Sequence, residues 1–115
     1  MKRLIGLSAL FLATLGCGSG AATPPAAPTN FATSILSGGI HMTWTDNSQD
    51  ETMFMIERKD PGGQFVDAYT VPFNITQYHD TANLKVGSTY SYRVRAMSDK
   101  GGLSGYSNES STMLK

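Results

Sequence analysis

The sequence points to an all-β sandwich. Short segments alternate apolar and polar residues with a period of two, clusters of Gly, Asp, Asn, Ser and Pro interrupt them at close intervals, and helical spacing is not sustained beyond the amino-terminal stretch. Strands and turns spaced in this way belong to two-sheet sandwiches or barrels. The composition agrees with one such domain. The 115 residues are 40% hydrophobic and 16% charged, too apolar for a disordered chain and too few for two ordinary domains. Nine basic residues balance nine acidic ones, which argues against a nucleic-acid partner, because such binding draws on basic patches facing phosphates. A single Cys excludes a disulfide within the chain and any multi-Cys zinc site.

The first element is an address. Lys2 and Arg3 give a positive start, and Leu4 to Leu15 form an apolar run broken only by Gly, Ser, Ala and Thr. As a helix that run covers about 18 Å, short of the ~30 Å hydrocarbon core, so a cleavable secretory signal over 1–16 is expected instead of a permanent span. Ala13-Thr14-Leu15-Gly16-Cys17 resembles a bacterial lipobox, with Leu two residues before the Cys where the commonest pattern has it three before. The resemblance implies that Cys17 carries a diacylglyceryl thioether and becomes the first mature residue. The alternative is an ordinary cleavage after Ala21 or Ala22, which discards Cys17. Removing 1–16 also removes Lys2 and Arg3, so the remaining side chains are acidic by two.

Residues 17–28 follow as the lipid anchor and a tether. Gly18 to Pro28 is small, proline-containing and uncharged, a composition that cannot bury enough apolar area to fold alone. From Thr29 onward, residues 29–115 read as one β domain. Ile40, Met42 and Trp44 alternate with His41, Thr43 and Thr45; Phe54 and Ile56 alternate with Met53, Met55 and Glu57; Tyr90, Tyr92, Val94 and Ala96 alternate with Thr89, Ser91, Arg93 and Arg95. Between them stand the turn clusters Ser37-Gly38-Gly39, Asp46-Asn47-Ser48, Asp60-Pro61-Gly62-Gly63 and Asp99-Lys100-Gly101-Gly102.

The stretch from Pro28 to Leu114 resembles the fibronectin type III domain. The resemblance is carried by Pro28-Thr29, the lone Trp44 on the second strand, Phe54-Met55-Ile56-Glu57-Arg58, the segment Leu84-Lys85-Val86-Gly87-Ser88-Thr89-Tyr90-Ser91-Tyr92-Arg93-Val94-Arg95-Ala96, and Ser104-Gly105-Tyr106-Ser107-Asn108-Glu109 near the end. It implies a seven-stranded immunoglobulin-like sandwich without a disulfide. One sheet would use 30–35, 39–45 and 75–79, the other 52–59, 64–71, 88–97 and 104–112. Trp44 would fill the centre, surrounded by Ile40, Phe54, Ile56, Tyr78, Leu84, Tyr92 and Val94. Tyr90 would direct its hydroxyl to backbone near Leu84, as a tyrosine corner does.

Catalytic chemistry finds little support, and no enzyme activity is expected. His41 alternates outward from the Trp44 face and reads as an exposed strand residue. His79 and Asp80 are adjacent on a strand and therefore point to opposite faces, a poor arrangement for a base and its orienting carboxylate. Gly102-Leu103-Ser104-Gly105 lacks nucleophile-elbow spacing. The oxygens of Asp46, Ser48, Asp50 and Glu57 loosely echo a calcium loop, but Glu51 stands where that loop needs Gly. Turn chemistry is the expected role of this stretch. No metal or cofactor is expected.

Surface character remains. Met53, Met55, Arg93 and Arg95 would share the outer face of the second sheet, with Lys100 on a Gly-rich loop, and these five are the candidate partner-binding residues. The plainer reading pairs Glu57 with Arg93 or Arg95 across strands. The expectation is a bacterial cell-envelope lipoprotein, membrane-anchored through Cys17 and monomeric, that displays the module to an extracytoplasmic protein or polysaccharide. A rival is a structural or assembly subunit of an envelope complex held by edge-strand or sheet-face contacts. Gly18 after Cys17 lacks an Asp that retains some lipoproteins at the inner membrane, which favours the outer membrane. The central position of Trp44 is directly testable: Trp44→Ala should cost about 3–5 kcal/mol and abolish a cooperative thermal transition, whereas a parent-like melt would contradict the core assignment.

Overall fold

The computed structural model describes residues 23–115. The expected signal peptide at 1–16, the attachment point Cys17 and residues 18–22 of the tether lie outside the described residues. Eight strands follow: β1 Thr29–Leu36, β2 Gly39–Thr45, β3 Met53–Lys59, β4 Phe65–Pro72, β5 Gln77–Asp80, β6 Thr89–Ser98, β7 Gly102–Leu103 and β8 Ser110–Met113. One sheet has the order β1-β2-β5; the other runs β8-β6-β3-β4, with β7 also on β6. All pairings are antiparallel. The described residues contain no helix, hence none long and apolar enough to cross a membrane.

The count is eight instead of seven because the last strand, expected over 104–112, is interrupted. Ser104 and Ser107 turn their hydroxyls onto β6, accepting the N–H groups of Ala96 at 2.8 Å and Val94 at 3.0 Å. Their own N–H groups donate to the carbonyls of Ala96 and Val94, both at 2.8 Å. The segment stays bonded to β6, but side-chain oxygens occupy places that carbonyls fill in a regular ladder. The turn joining β1 to β2 illustrates the local rules. Leu36 pairs with Gly39, leaving Ser37 and Gly38 as a two-residue loop with φ of 48° and 77°, the left-handed pair that a hairpin of this twist requires.

Alternation on each strand delivers the core. Phe31, Ile40, Met42, Trp44, Phe54, Ile56, Val71, Tyr90, Tyr92, Val94, Ala96 and Leu114 are buried together. Trp44 lies between Phe31 and Phe54, with ring centroids 6.2 and 5.5 Å away. Tyr78 and Leu84, expected at the centre, pack against its margin and are only half-buried. Tyr78 instead stacks on Tyr69 at 4.6 Å, which carries the aromatic contact from one sheet to the other. The tyrosine corner forms as expected, with Tyr90 Oη accepting the N–H of Lys85 at 2.8 Å.

Two polar seams close the long sides of the sandwich. On one side Asp80, at the end of β5, points into the opposite sheet with its carboxylate fully buried. Oδ1 accepts Tyr69 Oη at 2.6 Å and the N–H of Ala82 at 2.9 Å; Oδ2 accepts Tyr92 Oη at 2.7 Å and Arg58 Nη1 at 3.0 Å. The donors come from β3, β4, β6 and the loop after β5. On the other side Asn108 acts as a surrogate peptide: its Oδ1 accepts the N–H of Phe31 and its Nδ2 donates to the carbonyl of Phe31, each at 2.9 Å. Thr33 Oγ1 continues that seam to the hydroxyls of Ser110 and Thr112 at 2.8 and 2.7 Å.

The tether expected over 17–28 is docked in its described half. Pro25 and Pro28 are buried, and Asn47 Nδ2 donates to the carbonyl of Ala27 at 3.0 Å and to Thr29 Oγ1 at 2.9 Å. The Thr23 carbonyl lies so close to Gly101 that a Cβ there would overlap it. Prolines with little entropy to lose suit such docking without forming a strand.

The Asp80 seam sets an alkaline limit. Burial first, and then the bond to Asp80, push the Tyr69 phenol up to about 12, and the same causes raise Tyr92. Their contribution to stability is fully present below the ordinary phenol value near 10 and is lost as pH climbs through the raised value. Denaturation midpoints should therefore fall between pH ~10 and pH about 12, less steeply in Tyr69→Phe, which should cost about 1.5–3 kcal/mol at neutral pH. An unaltered midpoint for Tyr69→Phe would contradict the role of the seam.

Candidate functional site

The outer face of the β3–β6 sheet collects most of the residues singled out as partner-binding. Met55 lies directly across from Arg95, Glu57 from Arg93, and Met53 from Met97. Odd-numbered β6 residues face outward because the even ones fill the core, so sequence alternation alone places the two arginines here. Lys100 is elsewhere: it lies on the turn after β6, against a cavity of about 280 Å³ lined by Asp50, Thr52, Ser98, Asp99, Lys100 and Gly101. Four of the five candidates are thus brought together, and one is not.

The centre of this face is a ladder of charge and aromatic rings. Glu57 is 6% exposed although it points outward. Arg93 Nε donates to its Oε1 at 2.9 Å, Arg93 Nη2 lies 2.8 Å from the same oxygen, and Arg95 Nη2 lies 3.6 Å from Oε2. Tyr106 Oη donates to Oε2 at 2.7 Å. The Arg93 guanidinium lies between Phe65, 4.2 Å from its centroid, and Tyr106, 3.7 Å away; Arg95 covers Tyr106 at 4.6 Å. Cation–aromatic stacking suits the flat guanidinium and holds both arginines against the sheet. Burial pulls the Glu57 carboxyl upward, but the Tyr106 bond and the arginines outweigh it and hold it below its ordinary value. The cross-strand pairing of Glu57 with Arg93 and Arg95 is therefore present. The methionines are half-buried beside it.

Phe65 and Tyr106 were not singled out from the sequence. No local signal marks Tyr106: it lies over the outer face between Ser104 and Ser107, whose hydroxyls bond to β6 and break the regular ladder. Phe65 begins the edge strand β4. A bulge near Ala68 separates the pairs Ile56–Tyr69 and Glu57–Asp67, and it leaves Val66 and Ala68 exposed.

The other candidates settle into structural roles. Asp46 Oδ1 accepts the N–H of Ser48 at 3.0 Å, the expected turn, and lies 3.1 Å from the Ser48 hydroxyl oxygen. Ser48 Oγ donates to Glu51 Oε1 at 2.7 Å, and Glu51 Oε2 accepts the N–H of Asn74 at 3.1 Å. Glu57 belongs to the ladder, so the loosely calcium-like oxygens do not converge. Among the described residues no three His, Cys, Asp or Glu side chains come together as metal ligands. His41, expected exposed, is half-buried because His79 stands across from it on β5, with ring centroids 5.8 Å apart. His79 and Asp80 do face opposite sides of their strand.

The family model described as "Fibronectin type III domain" matches residues 26–113. This chain belongs to the fibronectin type III family. Solved structures share its fold. A Fn3-like protein from Clostridium thermocellum is 26% identical with a TM-score of 0.63, over 79% of this chain and 95% of that one. A structure of titin domains is also 26% identical with a TM-score of 0.66, over 79% of this chain and 32% of that one. A β-1,2-glucanase from Parabacteroides distasonis has a TM-score of 0.69 at 20% identity, over 82% of this chain and 14% of that one. No curated protein matches the sequence. The fold thus recurs over most of one chain and over a small part of others.

The ladder on this fibronectin type III domain has a measurable weight. Glu57→Gln should cost about 1–3 kcal/mol in urea denaturation, because two guanidinium groups lose their shared anion. Arg93→Lys, which keeps charge but loses the flat stacking surface, should not match the parent. Parent-like midpoints for both would contradict the ladder.

Proposed function

We propose that this chain is a non-catalytic, lipid-anchored protein of a bacterial cell envelope that presents one fibronectin type III module to an extracytoplasmic protein or polysaccharide. The observation that carries the reading is the placement of Cys17. The only Cys of the chain directly follows a basic start and a short apolar run, and docking onto the module begins six residues later at Thr23. A diacylglyceryl thioether there, supplemented by further acylation, would anchor the protein stably, since each buried methylene contributes about 0.8 kcal/mol. The absence of Asp after Cys17 supports the outer membrane.

The non-catalytic part of the reading is supported by how the buried carboxylates are used. Asp80 and Glu57 are both saturated by internal donors and held below their ordinary values. Neither is poised near neutral pH as a general base needs to be. The binding part is supported by the outer face of the β3–β6 sheet, where Met53 and Met55 adjoin a rigid Arg93–Tyr106–Arg95 stack. Adaptable thioethers beside fixed guanidinium and aromatic groups are a composition that interfaces favour.

Two measurements test the proposal. Growth with an alkyne fatty acid should label the protein and place it in the membrane fraction, and Cys17→Ser should abolish both; equal labelling of the variant would overturn the anchor. A photo-cross-linker at Met55 should capture a discrete partner from intact cells, while one at Val86, on the connection between β5 and β6 and off this face, should not. Absence of capture at Met55 would remove this face from consideration.

A further inference from the structure

The loops 46–52, 73–76 and 99–101 meet at one pole of the sandwich. Asn74 N–H donates to Glu51 Oε2 at 3.1 Å, Trp44 N–H to the carbonyl of Thr76 at 3.1 Å, and Thr52 N–H to the carbonyl of Met97 at 2.7 Å. The lead-in is tied to the same pole. Asn47 holds Ala27 and Thr29, and the Thr23 carbonyl rests on Gly101. Going backward along the chain, the polypeptide therefore leaves the module here. Only six residue steps separate Thr23 from Cys17, at most about 20 Å even when fully extended. The ten residues of β6 alone span roughly 33 Å, so the opposite pole cannot exchange places with this one within that reach.

This pole also carries an apolar tip. Phe73 is 57% exposed and Ile75 is 45% exposed. Both lie on the turn closed by Ile75 N–H to the Pro72 carbonyl at 3.3 Å, and Asn74 between them has φ of 63°. A cavity of about 440 Å³ lies beside Phe73, bounded by Gln49, Asp50, Glu51, Thr52 and Asn74. Together on one turn, these aromatic and branched apolar side chains are available for a contact with something apolar; it is the reach of the lead-in that singles them out from the exposed Ile35, Leu36 and Val86 elsewhere on the module.

We infer that Phe73 and Ile75 seat this pole on the lipid surface that holds the anchor, so that the module stands with 46–52, 73–76 and 99–101 toward the membrane. The inference rests on lipidation of Cys17 as proposed above. The contact is apolar and shallow, at the depth where headgroups meet acyl chains. Asp50 and Asp99 are exposed at the same pole with Lys100, so zwitterionic headgroups are accepted in preference to anionic ones. Val86, 76% exposed on the connection between β5 and β6, then points away from the membrane. The outer face with Met55 and Arg95 stands sideways, open to a partner, whereas Lys100 is covered.

Spin labels test this on the full lipidated chain, because an introduced cysteine is the single free thiol once Cys17 carries lipid. In phosphatidylcholine vesicles, a label on Gln49→Cys should be more accessible to oxygen than to a water-soluble nickel chelate, and a label on Val86→Cys should show the reverse. Adding Phe73→Ser and Ile75→Ser to Gln49→Cys should return that label to water. Replacing a third of the lipid with phosphatidylglycerol should weaken the contact. Equal exposure at 49 and 86 in a sample with lipidated Cys17, or contact at 49 that survives the double serine substitution, overturns the inference while leaving the anchor intact. A sample whose Cys17 carries no lipid overturns the anchor and the orientation together.

Discussion

A carboxylate removed from water needs a donor for each lone pair that solvent would have occupied, and Asp80 imposes that demand on both sheets at once. It sits at the end of β5 in the three-stranded sheet, yet most of its donors belong to the five-stranded one. Satisfying it fixes the distance between the sheets and their relative stagger, because Tyr69, Tyr92 and Arg58 arrive on separate strands. Arg58 extends the constraint further. Its Nη1 also donates to the carbonyl of Ala82 at 2.7 Å, and its guanidinium lies 4.9 Å from the Tyr90 centroid. Tyr90 in turn caps Lys85. The tyrosine corner, the loop after β5 and the inter-sheet seam therefore form one connected polar network. Hydrophobic burial around Trp44 supplies the larger driving force, but it is non-directional; the buried ion pair supplies the register.

The same logic operates on the outer face, with a different outcome. Glu57 is buried by side chains instead of by a second sheet, and Arg93, Arg95 and Tyr106 satisfy it. One ion pair faces inward and the other outward from adjacent positions of β3, Arg58 and Glu57. The strand that carries them is central to its sheet, flanked by β4 and β6. A rigid face adjoining flexible methionines is the physical consequence, with little side-chain conformational entropy left in the stacked arginines.

Much of the fold was legible because alternation is a local signal. Tyr90, Tyr92, Val94 and Ala96 declare one face of β6 without knowledge of the rest of the chain, and Trp44 declares the centre. The tyrosine corner was legible through resemblance. The Asp80 hub was not read, because its partners lie on three strands and only their parity is local. The clue was Arg58, which continues the inward phase of Phe54 and Ile56; a guanidinium in that phase requires a buried anion. The split last strand was missed because Ser104 and Ser107 fit a regular strand by propensity, and only the direction of their hydroxyls shows otherwise. Residues 23–28 looked like free tether by composition, yet Asn47 and Gly101 hold them. Docking of that kind depends on distant residues that composition does not register.

The central claim is that Asp80 stays ionised in the interior and ties the sheets together. Burial alone would raise its pKa most strongly, whereas the bonds from Tyr69, Ala82 and Tyr92 and the charge of Arg58 lower it, and the lowering prevails. Its contribution to stability is then fully present above the ordinary carboxyl value of 3.8 and is lost as pH falls through the lower folded value. The direct measurement is a carbon-13 NMR titration of the Asp80 side-chain carboxyl in the folded protein. The account predicts that the resonance titrates with a midpoint below the ordinary 3.8. Titration at or above that value would show that burial prevails, and that Asp80 is not the charged latch of the sandwich.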